Sequence, residues 1–135
     1  MRASFGRRYT LSASHRLHAA ALSAEENLAT YGKCNNLHGH GHNYVVEVVV
    51  DGVVDPETGM VVNMAALDAV VQARILDRFD HANLNLDPDF ANRVPTTENL
   101  SRVIFGLLKD AVPAGVLERV RVEETENNFF ECSNE

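Results

Sequence analysis

The sequence predicts an α+β fold in which a four-stranded antiparallel sheet carries two helices on one face, in the order β-β-α-α-β-β. Three observations support this prediction. Two β-forming runs lie in the first part of the chain, at 9–15 and 42–52, and two more end it, at 120–125 and 129–132. Between these pairs, apolar residues recur at helical spacing in two segments. The chain shows no repeat and no linker, so we expect a single domain over residues 1–135.

The first part of the chain is predicted to hold two strands separated by a short helix. In the run 9–15, aromatic and β-branched residues are followed by alternating polar residues, which is typical of a strand. Ser23 and Glu26 have the spacing of a capping box, and the helix that they begin should end at Gly32. The run 42–52 is the clearest strand in the sequence.

The second part of the chain is predicted to contain two longer helices before the last two strands. Asn63 is the expected N-cap of the first helix, and a polar loop over 82–95 follows it. The next helix should begin near Thr96 or Thr97 and end before Pro113. The apolar residues at roughly helical spacing in the first of these helices are Leu67, Val70, Val71, Leu76 and Phe79. With both helices on one face, the other face of the sheet is expected to be buried by a partner subunit.

Composition excludes several classes of protein. The 12 basic and 19 acidic residues give a net charge of −7, which argues against non-specific binding of nucleic acid. No apolar run approaches the length of a membrane span, and the N-terminus lacks the apolar core of a signal peptide. The cysteines, Cys34 and Cys132, are too few and too far apart for a disulfide framework, so we expect a reduced, cytoplasmic setting.

The stretch 34–44 predicts a metal site. It places one thiol and three imidazoles within nine residues, immediately before the second strand. His40 and His42 are two residues apart, so their side chains point to the same face of an extended strand, and the glycine before each gives the backbone room. His15 is the best candidate for a third ligand, because neighbouring strands lie about 4.8 Å apart. Three neutral histidines with one open position are typical of a catalytic zinc site.

Several further residues have both a chemical and an ordinary interpretation. Cys34 is either a base or nucleophile, or an inert buried thiol, although its neighbours are too polar for a core segment. Asp80 beside His81 forms either a proton relay or an exposed turn after a helix. His18 and His38 are expected to be exposed or to support the site from outside.

Two regions are candidates for contact with a bound molecule. Glu124 lies on the same strand face as the apolar Val120 and Val122, so its carboxylate needs donors, either structural ones or N–H groups of a ligand. Thr96 and Thr97 lie at a helix N-terminus, where free backbone N–H groups could hold a ligand. Cys132, near the C-terminus, is interpreted as incidental.

Taken together, the motifs resemble those of the 6-pyruvoyltetrahydropterin synthase and 6-carboxytetrahydropterin synthase family. The resemblance runs from about residue 5 to residue 130. Its motifs, in chain order, are SASHRL at 12–17, EENL at 25–28, GKCNN at 32–36, GHGHNY at 39–44, DPETGM at 55–60, DHANL at 80–84, TTEN at 96–99 and ETENN at 124–128.

The resemblance implies a fold and an activity. The fold is the tunnelling fold, in which four-stranded sheets join into a barrel within a trimer, and two trimers form a homohexamer. The activity implied is that of a lyase of tetrahydrobiopterin biosynthesis, which eliminates triphosphate from 7,8-dihydroneopterin triphosphate with an internal redox rearrangement. No nicotinamide is needed, and the chain has no dinucleotide-binding fingerprint.

The resemblance also implies roles for particular residues. Zinc would be bound by His15, His40 and His42. Cys34 would accept protons, with a relay supplied by Asp80 and His81 of a neighbouring subunit, and Glu124 would anchor the pterin ring through its N–H edge.

Two alternatives remain. Leu37-His38 stands where the animal enzymes carry Pro-Asn, and a Leu-His-Gly-His sequence looks more like 6-carboxytetrahydropterin synthase, the relative in queuosine biosynthesis. The segments Cys34-Asn35-Asn36 and Asn43-Tyr44 favour the pyruvoyl enzyme. A non-catalytic pterin-binding or metal-binding module is the other alternative, but such a module has no need of the thiol and the Asp80-His81 pair together.

Overall fold

A computed structural model describes residues 1–134 as one sheet with the helices of residues 64–108 packed against a single face. The sheet has five strands in the order β3-β1-β2-β4-β5. The strands are β1 (Arg2–His15), β2 (His40–Val53), β3 (Ala82–Asn83), β4 (Val116–Thr125) and β5 (Asn128–Ser133). The helices are α1 (Ala24–Tyr31), α2 (Met64–Val71), α3 (Asp77–Phe79) and α4 (Thr97–Leu108). A π turn over Gln72–Leu76 joins α2 to α3, so the two form one continuous helical segment.

The predicted α+β class is confirmed, but the predicted count of four strands is wrong. The fifth strand, β3, lies in the segment expected to be an irregular loop and pairs in parallel with Ala13 and Ser14 of β1. The sheet is therefore mixed rather than wholly antiparallel. A strand of two residues is too short to show any alternation, so no sequence pattern could have indicated it.

The first two strands are longer than predicted and pair along their whole length. Their antiparallel register runs from Arg2 opposite Val53 to His15 opposite His40. The segment before Tyr9 contains arginine, glycine and serine, which are weak strand formers by themselves. Cross-strand pairing with the valine-rich β2 holds this segment in the sheet.

The core lies between one face of the sheet and the long helices. Alternation places Tyr44, Val46, Val48 and Val50 of β2 on this face, where all four are fully buried. The buried helix residues that pack into the same cluster are Leu67, Val71, Ile75, Phe79, Leu100, Val103, Ile104, Phe105 and Leu108. The histidines discussed below lie on this same face, at the end of β1 and the start of β2.

The opposite face of the sheet carries charged side chains in ion pairs. Glu47 lies 3.0 Å from the Arg8 guanidinium and 3.7 Å from that of Arg119, and Arg121 stacks 3.9 Å above the Phe129 ring. Among residues 1–134, no helix is long and apolar enough to cross a membrane.

Candidate metal centre and active site

Three histidines converge where β1 ends and β2 begins. His15 is directly opposite His40 in the strand register, and His42 is opposite Ala13, whose small side chain leaves room for an imidazole. The ring centroids lie 5.1 Å apart for His15 and His40, 5.0 Å for His15 and His42, and 4.7 Å for His40 and His42. The Nε2 atoms of His40 and His42 are 2.9 Å apart. The strand register therefore brings three imidazoles to one point.

The His15 ring is oriented by a backbone carbonyl from another part of the chain. Its Nδ1 lies 2.8 Å from the Pro95 oxygen, and a carbonyl only accepts, so Nδ1 must carry the proton. The Nε2 atom then presents a lone pair, and it is buried without a hydrogen-bond partner among residues 1–134. Burial also lowers the pKa of His15, which favours the neutral ring. A buried lone pair without a donor fits a metal ion.

The remaining donors around this point also suit a metal ion. Donor atoms of His15, Cys34 and His40 lie within 4.8 Å of one another, and so do those of His15, His42 and Glu124. Burial lowers the pKa of His42, so a second imidazole is kept neutral. Two nitrogens bound to a tetrahedral zinc lie roughly 3.3 Å apart, close to the His40–His42 separation. The histidines thus fit a metal with little rearrangement.

Gly39 is required for this arrangement, whereas Gly41 is not. Gly39 adopts a φ of +69°, and a Cβ on it would lie 2.4 Å from the His15 carbonyl oxygen. Only glycine permits so close an approach of the loop to β1. A Cβ on Gly41 would meet the Ala13 oxygen at 3.5 Å, an ordinary contact, so the predicted need for room applies to Gly39 alone.

Cys34 lies at the edge of the histidine cluster. Its Sγ is 3.6 Å from the Nε2 of His40. Burial, and then the negative charge of Glu124, raises the pKa of the thiol. The thiol by itself therefore stays protonated at neutral pH, and it needs added positive charge nearby to act as a base.

Glu124 directs one carboxylate oxygen at the cluster. Its Oε1 is 3.3 Å from the Nε2 of His42 and 3.7 Å from that of His15. Its Oε2 accepts a hydrogen bond of 2.9 Å from the Asn128 side chain. The carboxylate is therefore held by a structural donor on one side and remains able to accept from a metal-bound group or a ligand on the other.

Asp80 and His81 lie at the outer edge of β1, away from the cluster. Asp80 accepts a hydrogen bond of 2.8 Å from the backbone N–H of Ser12, which is the main reason that its pKa is lowered. His81 has a φ of 60°, its Nδ1 is 3.2 Å from Asp80, and its side chain is 82% exposed. An open groove of about 510 Å³ lies beside it, and His42 of the histidine cluster lines the same groove, together with residues that include Ser14 and Asn43. Within residues 1–134, the polar contacts of this pair do not reach Cys34.

The two threonines differ in their surroundings. Thr96 is the N-cap of α4 and accepts from the Asn99 N–H at 3.2 Å. Thr97 is only 3% exposed, lies next to the Tyr44 hydroxyl, and has a buried Oγ1 without a hydrogen-bond partner among residues 1–134. Thr97 is thus the one that faces the interior beside the histidines.

The structure adds residues to the site that the sequence did not single out. Tyr44 is fully buried, with its hydroxyl 3.4 Å from the Nδ1 of His15. Its spacing of two residues from His42 on the same strand was a usable signal. Asn128 lies four residues after Glu124, across the turn between β4 and β5, and within the motif 124–128. The Pro95 carbonyl had no such signal, because it lies 80 positions from His15 and approaches the site only in the folded chain. His18 and His38 are both exposed, and Cys132 is a half-buried free thiol.

The chain is similar to known proteins along nearly its whole length. The family model described as 6-pyruvoyl tetrahydropterin synthase matches residues 5–135. The Homo sapiens 6-pyruvoyl tetrahydrobiopterin synthase is 51% identical over 128 residues, which cover 94% of this chain and 88% of that protein. A putative 6-carboxy-5,6,7,8-tetrahydropterin synthase of Archaeoglobus fulgidus is 34% identical over 114 residues, covering 84% of this chain and 90% of that protein.

A solved structure is also similar over the whole chain. The structure of Caenorhabditis elegans 6-pyruvoyl tetrahydropterin synthase matches with a TM-score of 0.94 and 42% identity, covering 100% of this chain and 97% of that one. The chain therefore belongs to the 6-pyruvoyl tetrahydropterin synthase family, and the resemblance found in its motifs is confirmed.

Proposed function

We propose that this chain is a zinc-dependent 6-pyruvoyltetrahydropterin synthase. It would eliminate triphosphate from 7,8-dihydroneopterin triphosphate and rearrange the remainder to the pyruvoyl tetrahydropterin. The observation that carries the proposal is the Cys34 thiol, 3.6 Å from one of three converging histidines. A binding module has no use for a thiol beside a metal centre, whereas a proton-transfer enzyme needs a base there.

The three histidines would hold the metal. Zinc bound by His15, His40 and His42 would polarise the side-chain oxygens of the substrate and add the positive charge that favours the Cys34 thiolate. Two features of the chain itself prepare His15 for metal binding. The Pro95 carbonyl accepts from Nδ1 and so leaves the Nε2 lone pair of His15 free to bind a metal, and burial disfavours a second proton on the ring.

Proton movement would centre on Cys34. The thiolate sulfur would take a proton from a carbon of the substrate side chain, next to a polarised oxygen. Triphosphate leaves with its bonding electrons. The side chain becomes oxidised to a dicarbonyl while the dihydropterin ring is reduced, so the electrons balance without a nicotinamide. Glu124 would orient the ring by accepting N–H bonds from its amino-pyrimidine edge, with Thr97 beside the same cavity.

The second proton-transfer pair would come from another subunit. Asp80 and His81 lie at the outer edge of their own sheet, and the His81 ring is solvent-exposed, so it is available to an adjacent copy. We infer that the chain, as a single domain over residues 1–135, assembles in the cytoplasm into trimers whose sheets close into a barrel, paired as a homohexamer. Closure would cover the charged outer face and the edge strand β5, which an isolated sheet leaves available for pairing.

The carboxy relative is the second candidate because of Leu37-His38 and the archaeal relative. Incubating the zinc-loaded protein with 7,8-dihydroneopterin triphosphate and identifying the products by mass decides between them. We expect free triphosphate and a pyruvoyl tetrahydropterin, with turnover lower by about two orders of magnitude in Cys34→Ala. The matched thiol variant Cys132→Ala should be fully active. A 6-carboxy product would establish the second candidate. Pterin binding without any product would establish a binding module.

A further inference from the structure

The turn that carries Cys34, residues 32–39, is positioned by hydrogen bonds rather than by packing. None of its eight residues is buried: Cys34, Asn35 and Gly39 are half-buried, and the other five are exposed. Its 3-10 segment, Gly32–Asn35, follows directly on the end of α1. A turn without a buried anchor moves readily unless polar contacts hold it. The position of the Cys34 sulfur therefore depends on the hydrogen bonds that hold this turn.

The contacts form a compact set with the segment after β1. The Leu17 N–H donates to the Cys34 carbonyl at 2.7 Å. In return, the Asn35 side chain donates from its Nδ2 to the Leu17 carbonyl, also at 2.7 Å. The Arg16 guanidinium donates from Nε to the Asn35 carbonyl at 3.1 Å. Three hydrogen bonds thus join residues 34–35 to residues 16–17, immediately beyond the metal-ligand candidate His15.

The receiving segment is itself held in place. The Asn85 side chain accepts from the Arg16 N–H at 2.7 Å and donates to the Arg16 carbonyl at 2.9 Å. This pair of bonds continues the strand-like pairing past the end of β1. The series Asn85, Arg16-Leu17 and Asn35 therefore connects the sheet edge to the thiol.

We propose that Asn35 is the positioning residue for Cys34, holding its sulfur beside His40. The inference rests on the proposed function of Cys34 as the base, and Asn35 itself touches no reacting atom. Within residues 1–134, its amide is the one side-chain donor that links the cysteine turn to the Leu17 carbonyl. A base displaced by about 1 Å can lose up to two orders of magnitude in rate, so this contact affects turnover more than binding.

The test compares substitutions at two adjacent asparagines. Asn35→Ala removes the donor, and Asn35→Asp keeps the shape but sets a carboxylate against the Leu17 carbonyl. Asn36→Ala and Asn36→Asp are the matched controls, because the Asn36 side chain is exposed and makes no hydrogen bond within residues 1–134. We expect both Asn35 variants to lower kcat by about 10- to 100-fold, with KM unchanged within about twofold and zinc content retained. The Asn36 variants should match the wild type.

A second readout does not depend on turnover. In the metal-free protein, iodoacetamide labels both free thiols, and mass spectrometry gives the rate at Cys34 relative to that at Cys132. Releasing the turn exposes the half-buried Cys34, so its relative rate should rise about threefold or more in both Asn35 variants and stay constant in the Asn36 variants. If the labelling ratio changed only in the aspartate variants, the cause would be the added charge rather than the lost hydrogen bond, and the proposal would be overturned.

The two proposals fail in different ways. If the wild-type protein shows no turnover, the proposed function is wrong, and the labelling ratio still decides whether Asn35 positions the turn. If the wild type is active and Asn35→Ala keeps both its kcat and its labelling ratio, the positioning role is wrong and the proposed function stands. A rise in KM with a fall in kcat, together with a lower melting temperature, would show a merely structural role and would also overturn it.

Discussion

Replacing Glu124 by glutamine tests whether this carboxylate anchors the pterin ring. In the structure, Oε2 accepts from Asn128 and Oε1 faces the histidine cluster. Asn128 offers a donor, so the glutamine oxygen must turn toward it, and the glutamine NH₂ group then faces the cluster. An N–H donor of the pterin would meet another donor there.

The expected magnitude follows from this geometry. Loss of a charge-assisted contact, together with two donors left facing each other, costs about 2–4 kcal/mol. At about 1.4 kcal/mol for each factor of ten, this is a loss of roughly 30- to 700-fold in affinity. Calorimetry on the zinc-loaded protein with 7,8-dihydroneopterin, which lacks the leaving group, measures it directly.

The control lies next to Glu124 in the sequence. Glu123 is on the opposite face of β4, where its carboxylate is 4.0 Å from Arg121, so Glu123→Gln should bind like the wild type. Unchanged affinity in Glu124→Gln would refute the anchor role. A loss of zinc from that variant would instead identify Glu124 as a metal ligand.

Four further predictions concern the metal, the base and the fold. His42→Ala should lower the zinc content sharply, because two imidazoles hold zinc far less well than three, and His18→Ala should keep it. Cys34→Ala should retain zinc and pterin binding while kcat falls by about two orders of magnitude. Asn27→Leu should lower the free energy of unfolding by about 2–3 kcal/mol, measured by urea denaturation, because the fully buried Asn27 amide makes four hydrogen bonds to the loop before α1. The metal-free protein should lose stability as the pH falls below about 6.5, since unfolding lets the buried, neutral His15 take up a proton.

Each of these predictions has a result that would contradict it. A full equivalent of zinc in His42→Ala would remove that residue from the ligand set. Wild-type kcat in Cys34→Ala would remove the thiol from the mechanism. An unfolding midpoint in Asn27→Leu equal to that of the wild type would mean that the loop finds other partners. A melting temperature that is constant through the titration range of histidine would show that folding does not lower the pKa of His15.

Features encoded within a few residues were predictable from the sequence. The capping box of α1 forms as expected, with Ser23 accepting from the Glu26 N–H and Glu26 accepting from the Ser23 N–H. Thr96 and Asn63 are the N-caps of their helices, and the valines of β2 are buried on alternate positions. Such features depend on local hydrogen bonds and on the periodicity of the backbone, so their signals lie close together in the chain.

The sequence was also sufficient to predict that the three histidines lie close together. His40 and His42 share a strand face by alternation alone, and pairing of the first two strands placed His15 beside them. Family resemblance added the expectations for Cys34 and Glu124, whose chemical roles remain predictions to be tested by the variants above.

Only the tertiary structure decided how these side chains are held. The Pro95 carbonyl that sets the His15 tautomer is 80 positions away in sequence. Leu17 bonds to the Cys34 turn, and Asn85, from a third segment, bonds to the neighbouring Arg16. The short strand β3 forms by parallel pairing with β1, and its two residues are too few to show the alternation of a strand in the sequence. These contacts arise when loops without periodicity meet across a folded sheet, and no local pattern of residue types encodes which carbonyl or amide will be the partner.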